Sequence, residues 1–249
     1  MSAHKHTMNP ILEKRVGQIT DLKHRDYLFV DFSDFKLENH ALNKLGERIE
    51  RLKNLARRNS LPQIQIKYPH KWVGFNREIK KIGFTEGLYF VAKKVTGYHS
   101  LPEGEIVEIN DIFTIKEHLI IQQRLHYNLN PQFFCSLKDF DIQEYLEEIQ
   151  SLMANRKAIT YCVTEKGEKM GFIVIQKHNS AFYICELFVG KQYRGYGIGK
   201  KLMNAAFHYV STQNKKTLYT SLAAQNQRAL AFYKKCDFKE THVLSYYEL

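Results

Sequence analysis

The residues able to do chemistry are concentrated in one segment, Glu186-Leu187-Phe188-Val189-Gly190-Lys191-Gln192-Tyr193-Arg194-Gly195-Tyr196-Gly197-Ile198-Gly199-Lys200-Lys201-Leu202. An apolar run leads into a glycine-rich turn, and the turn opens an amphipathic stretch of helical period. Glycines let the backbone take unusual angles and admit a ligand close to the main chain. The first amides of a helix lack partners and point at that ligand, and the helix dipole favours negative charge there. Arg194, Lys200 and Lys201 add positive charge. On these grounds the segment is a phosphate cradle. It is not the dinucleotide fingerprint G-x-G-x-x-G, because the third position is Lys200. It is not the G-x-x-x-x-G-K-[ST] loop either, because Arg194 and Lys201 occupy the outer positions. The alternative is a helix start with incidental glycines. Three of them at alternate positions would suit that poorly, since each costs about 0.5–1 kcal/mol inside a helix.

A second group lies downstream: Asn226, Ala229, Tyr233 and Phe238. With it the sequence resembles a known family. Gln192-Tyr193-Arg194-Gly195-Tyr196-Gly197 is similar to the Q/R-x-x-G-x-G/A signature of the GCN5-related N-acetyltransferases (GNAT), and the downstream residues are similar to that family's N-x-x-A-x-x-x-Y-x-x-x-G-F helix. Asp237 stands where the family has Gly, a small loss, since Asp tolerates the left-handed conformation better than most residues. The two motifs with their strands cover about residues 181–249, and a weaker match of element order reaches back to about residue 105.

The resemblance implies a GNAT fold, a mixed α/β sheet, and acetyl-CoA as cosubstrate. It implies that Gln192, Arg194, Gly195, Tyr196, Gly197, Ile198, Gly199 and Lys200 hold the CoA pyrophosphate. The strand ending at Val189 is expected to splay from the strand at Thr217–Leu222, so that the pantetheine arm meets main chain at Leu187, Phe188 and Val189. Asn226 is expected beside the cofactor; it would also cap its helix. Tyr233 matches the position of the acid that protonates the departing thiolate, and the backbone near Val189 matches the family's oxyanion donor. The alternative for Tyr233 is a core aromatic beside Phe232. Glu186 is the candidate base. It interrupts an apolar strand just before the cofactor site, where a half-buried carboxylate tends toward a raised pKa. An ion-paired strand residue, or proton relay through water, are its alternatives.

The elements that must position these groups follow from periodicity. Strands are expected at Tyr27–Phe32, Gln63–Lys67, Gly87–Lys94, Glu105–Ile109, Ala158–Thr164, Lys169–Gln176, Phe182–Val189 and Thr217–Leu222, with one or two short strands from Lys239 on. Helices are expected at about 38–58, His70–Ile82, Asp111–Tyr127, Asp141–Met153, Gly197–Ser211 and Asn226–Cys236. Shifting the chain by 154 residues lays residues 27–95 on 181–249 without a gap, strand on strand and helix on helix. The layout expected is therefore an N-terminal arm (1–26), a degenerate half-GNAT repeat (27–98), a turn-rich linker at Gly97–Gly104, and a catalytic domain (101–249). The first copy lacks the chemistry. At the shifted positions Gln192, Gly195, Gly197 and Gly199 become Glu38, Ala41, Asn43 and Leu45, Asn226 becomes Trp72 and Tyr233 becomes Ile79. Acceptor recognition is expected on the two helices within 111–153, with His118, His126, Tyr127 and Tyr145 as candidates.

Composition sets the remaining bounds. Apolar residues at 44% and charged residues at 25% are ordinary globular usage. No apolar run approaches the roughly 18 residues of a membrane span, and the N-terminus shows no secretory pattern. Cys135, Cys162, Cys185 and Cys236 stand far apart and read as reduced thiols of a cytoplasmic protein. No metal spacing is visible, so no metal is expected. The net charge of +11 is uneven, with 19 Lys+Arg against 10 Asp+Glu in residues 1–95. Arg48, Arg51, Lys53, Arg57 and Arg58 read as a solvated helix face interleaved with Glu47 and Glu50, or as a polyanion-docking patch. The function expected is direct acetyl transfer to a primary amine of a small molecule, peptide or protein, by a monomer or homodimer. The alternative is an acetyl-CoA-sensing module, or one docking on nucleic acid or a ribosome.

Overall fold

The computed structural model describes residues 16–20, 26–33, 45–101, 106–134, 136–138, 140–178, 181–214 and 216–249. The elements are β1 (Val16–Thr20), β2 (Asp26–Asp31), α1 (Leu45–Arg58), β3 (Gln63–Pro69), α2 (Val73–Lys81), β4 (Thr85–Lys94), β5 (Ile106–Glu108), α3 (Lys116–Leu129), α4 (Ile142–Ala154), β6 (Ala158–Glu165), β7 (Glu168–His178), β8 (Ala181–Val189), α5 (Ile198–Ser211), β9 (Thr217–Ala223), α6 (Gln227–Lys235) and β10 (Lys239–Glu248). The helix starting near 38 and the counterparts Glu38, Ala41 and Asn43 lie partly or wholly outside the described residues, as does Cys135. Moved by 154, β3, α2 and β4 coincide at both ends with β9, α6 and β10. Asp237, at φ 63°, falls on Gly83, at φ 99°, so both copies end their second helix in a left-handed residue.

The chain forms two compact units: residues 1–89 with 241–249, and residues 90–240. Two features bear on how the units are built. In the first unit, β10 lies antiparallel to β3, pairing His242–Glu248 with Gln63–Pro69. The final strand of the second copy therefore completes the sheet of the first. In the second unit, residues 97–101 are fastened rather than loose. His99 accepts from His208 Nδ1 at its carbonyl (2.6 Å), donates its amide to Ser211 Oγ (3.4 Å), and stacks near Phe207.

In the first unit the strand order is β1-β2-β3-β10, then the first half of β4. β1, within the expected N-terminal arm, pairs antiparallel with β2. Main-chain pairing at a sheet edge asks little of side-chain pattern. β2 and β3 run parallel. α1 buries Leu45, Ile49, Leu52 and Ala56, and α2 buries Phe75 and Ile79, against Ile64, Ile66 and Tyr68. Trp72 precedes α2 and packs in that core, since the helix begins at Val73 rather than His70. A polar chain crosses this core. Ser245 on β10 meets the Tyr68 hydroxyl (2.9 Å), which donates to Asn76 (3.0 Å), whose amide donates to Glu86 (2.8 Å). Burial pushes the Glu86 carboxyl up, but donors from Asn76, Lys80 and Tyr89 outweigh it and hold the group below its ordinary value.

In the second unit the order is the second half of β4, then β9-β8-β7-β6-β5. α3 and α4 cover one face, packing Leu119, Leu146 and Ile149 on Cys162, Phe172, Val174 and Phe188. Asp111 and Asp141 cap the two helical segments, and a 3-10 turn at Ile112–Ile115 replaces the start of the expected first helix. α5 covers the alternate residues of β7 on the other face. β10 is one strand, not two. Among the described residues no helix is long and apolar enough to cross a membrane, and no cluster of His, Cys, Asp and Glu has the makings of a metal site.

Tyr68→Phe should cost about 1–3 kcal/mol, because it strands buried Ser245 and Asn76 without their shared partner. Urea denaturation against wild type measures it.

Candidate active site

β8 is held differently on its two sides. Along β7 it is paired from end to end, Ala181 with His178 through Val189 with Gly171. Along β9 the parallel ladder covers only Phe182–Leu218 and Tyr183–Tyr219. Beyond it the Thr220 hydroxyl donates to the Ile184 carbonyl (2.9 Å) in place of a ladder bond. The strands separate there, leaving main chain from Cys185 onward without a recorded strand partner on that side. Such a gap accepts an extended ligand as an extra strand would.

The pairing with β7 slips between Val174–Glu186 and Ile175–Ile184, so Cys185 is an extra residue in β8. Bulges re-aim the side chains that follow. Glu186 and Phe188 consequently share the face covered by α3 and α4. Phe188 packs in that core. Glu186 receives Gln122 Nε2 from α3 at Oε2 (2.5 Å) and the Tyr145 hydroxyl from α4 at Oε1 (2.5 Å). Burial pushes the Glu186 carboxyl up to about 7, with the Tyr145 hydrogen bond opposing. Burial, and then the Glu186 charge, push the Tyr145 phenol far up.

The turn after β8 follows the glycines. Lys191–Tyr193 forms one 3-10 turn, and the Tyr193 hydroxyl anchors it to Glu168. Gly195 (φ 93°) and Gly197 (φ 78°) take left-handed angles, and a Cβ on either would meet open space. Conformation, not crowding, therefore demands glycine at both. Gly199 differs: a Cβ there would lie 3.2 Å from the Phe232 ring, so it sets the approach of α6 to α5. Gly197 stands at the start of α5 and no side chain caps that start. The amides of the first turn thus lack partners within the helix. Ile198 is buried beneath them, whereas Gln192, Tyr196 and Lys200 are exposed. Arg194 is tied to the strand: its Nε donates to the Val189 carbonyl (3.0 Å). The extended backbone at Arg194 turns its side chain back along the strand. Leu187 and Val189 are partly exposed.

Asn226 caps α6, its Oδ1 accepting from the Ala229 amide (3.1 Å). Tyr233, on α6, is buried and hydrogen-bonds Thr220, so it sits where β8 and β9 part. Burial raises its pKa, which the Thr220 bond only partly offsets; Glu186 is close enough to add to the rise. The acceptor-side candidates separate. Tyr145 joins Glu186, while Tyr127 is half-buried on α3. His126 lies against Phe134 (4.8 Å), and burial holds it down at about 4. His118 lies against Phe188 (5.5 Å), its pKa lowered by burial.

Sequence reasoning missed Gln122, Thr220 and Gly171. Gln122 had a signal, a polar residue on the buried stripe with Leu119. So had Gly171, an isolated glycine inside an apolar strand, which marks close approach. A Cβ at 171 would lie 2.5 Å from the Phe188 carbonyl and 3.3 Å from Ile198.

Residues 123–238 match the model of the Acetyltransferase (GNAT) family. The chain is 37% identical to N-alpha-acetyltransferase 60 of Danio rerio, over 39% of this chain and 49% of that protein. It is 32% identical to the peptidyl-lysine N-acetyltransferase YjaB of Salmonella typhimurium, over 41% of this chain and 67% of that protein. A GCN5-related N-acetyltransferase from Sphaerobacter thermophilus superposes with a TM-score of 0.61 at 14% identity, over 94% of this chain and 76% of that one, a likeness of fold alone. The chain spans 49%, 38% and 66% of the first three curated relatives it matches.

Gly171→Ala should destabilise the protein by about 1–3 kcal/mol, since β8 or α5 must shift to admit the methyl group. A chemical denaturation midpoint checks the loss.

Proposed function

The chain belongs to the acetyltransferase (GNAT) family, and on that premise we propose that it transfers an acetyl group from acetyl-CoA directly to a primary amine. The observation that carries this reading is the end of the β8–β9 ladder after Tyr183, next to an uncapped helix start. Two glycines held at positive φ, with open space where side chains would be, fit a pyrophosphate approaching main chain. Gln192, Gly195, Tyr196, Gly197, Gly199 and Lys200 form its cradle over buried Ile198, and Arg194 braces the cradle against β8. Leu187, Phe188 and Val189 offer main chain to the pantetheine arm, and Asn226 fixes the start of α6 beside it. Acetyl-CoA supplies an activated thioester when bound.

The chain's own residues divide the proton work. An alkylamine with pKa near 10.4 lies roughly 4–5 kcal/mol from its neutral form at pH 7. Glu186, pushed up to about 7, is matched to take that proton near neutrality. Burial keeps the proton on Tyr233, beside Thr220 where the strands part, and that proton is the one assigned to a departing sulfur. The two relatives' names, one for an α-amine and one for peptidyl lysine, favour a peptide or protein amine over a small molecule. The first copy is then a non-catalytic half-repeat, with Trp72 in its core where Asn226 caps in the second. On α1, Lys53 pairs with Glu50 (2.9 Å) and is buried against Tyr247, whereas Arg51, Arg57 and Arg58 are exposed.

Calorimetric titration with acetyl-CoA should show micromolar binding that Gly197→Val abolishes; normal binding by that variant would displace the cradle from this turn. Tyr233→Phe should keep that affinity and lower kcat about 10- to 100-fold in a thiol-release assay. An unchanged kcat removes Tyr233 from the proton work.

A further inference from the structure

Gln122 is 6% exposed, and its only recorded hydrogen bond is the one it donates to Glu186. Its Oε1 is buried with no partner among the described residues. A buried, unmatched carbonyl weakens a fold, and a thioether or aliphatic side chain of the same size would fill the space without that penalty. The amide is therefore poorly explained as packing. Its orientation is set by the carboxylate it serves, as is that of the Tyr145 hydroxyl on the other oxygen. We infer that Gln122 and Tyr145 are positioning residues, which clamp the two oxygens of Glu186 from α3 and α4. The inference rests on the reading of Glu186 as the base.

The clamp has a defined electrical consequence. The groups facing Glu186 are Gln122 from α3, Tyr145 from α4, Tyr183 and Cys185 on its own strand, and Tyr233 from α6. Among the described residues no cation is recorded as acting on Glu186. Burial favours the protonated carboxyl, so the two donated hydrogen bonds are what favours the ionised form. Deleting either donor removes stabilisation from the anion alone, and the titration midpoint must move up. A donor that served packing only would leave the midpoint where it is.

The test uses the full chain with 13C-labelled glutamate carboxyls, titrated by NMR from pH 4 to 9. The Glu186 signal is assigned by its loss in Glu186→Gln. Wild type should titrate at about 7, and Gln122→Met and Tyr145→Phe should each titrate about one unit higher. Gln122→Asn, which keeps the amide but shortens its reach, should not restore the midpoint. An unmoved midpoint in a folded variant overturns the inference for that residue. The base reading fails separately: Glu186→Gln would acetylate a lysine-containing peptide from acetyl-CoA as fast as wild type, whatever the midpoints do.

Discussion

Main-chain hydrogen bonding along β8 is complete on one side and breaks off on the other, and the site is organised around that asymmetry. The β7 side holds the strand through Val189. On the β9 side, Thr220 takes the place of the next ladder bond, its hydroxyl donating to the carbonyl of Ile184, and lies beside Tyr233. An unpaired strand edge in a buried sheet is costly, since each polar group must find a partner. The gap is affordable because it opens at the strand's end, beside a helix whose first amides are also unsatisfied. The two sets of unmet groups lie next to one another along the chain, and one elongated anionic ligand can satisfy both.

The bulge at Cys185 does the complementary work. Without it, Glu186 would fall on the same face as Ile184, toward α5. With it, the carboxyl reaches Gln122 and Tyr145. By absorbing the extra residue, the bulge keeps the strand's only acidic group on the face of α3 and α4.

Much of this is legible in the sequence where a local signal exists. The turn shows itself because positive φ leaves few choices but glycine at 195 and 197. The α6 boundaries are visible because Asn226 caps and Asp237 ends the helix. Glu186 stands out as a charge in an apolar run. What is not legible comes from pairing between distant segments. Nothing local says that Cys185 is the extra residue, that Arg194 folds back onto Val189, or that Thr220 meets both Ile184 and Tyr233. The edge strand β1 needs only a neighbour's main chain, so its pattern is faint. The contacts of His99 with His208 and Ser211 are likewise invisible locally, because turn residues mark a change of direction and not an absence of contact.

The placement of β10 has a consequence for how the chain acquires its fold. Tyr68 and Ser245 are 177 residues apart, and His242–Glu248 pair with Gln63–Pro69. Translation delivers residues 90–240 before that pairing is available. Until then β3 presents an open edge to the cell, a template for unwanted strand addition. The sheet of the N-terminal unit therefore cannot close before residues 242–248 have been made.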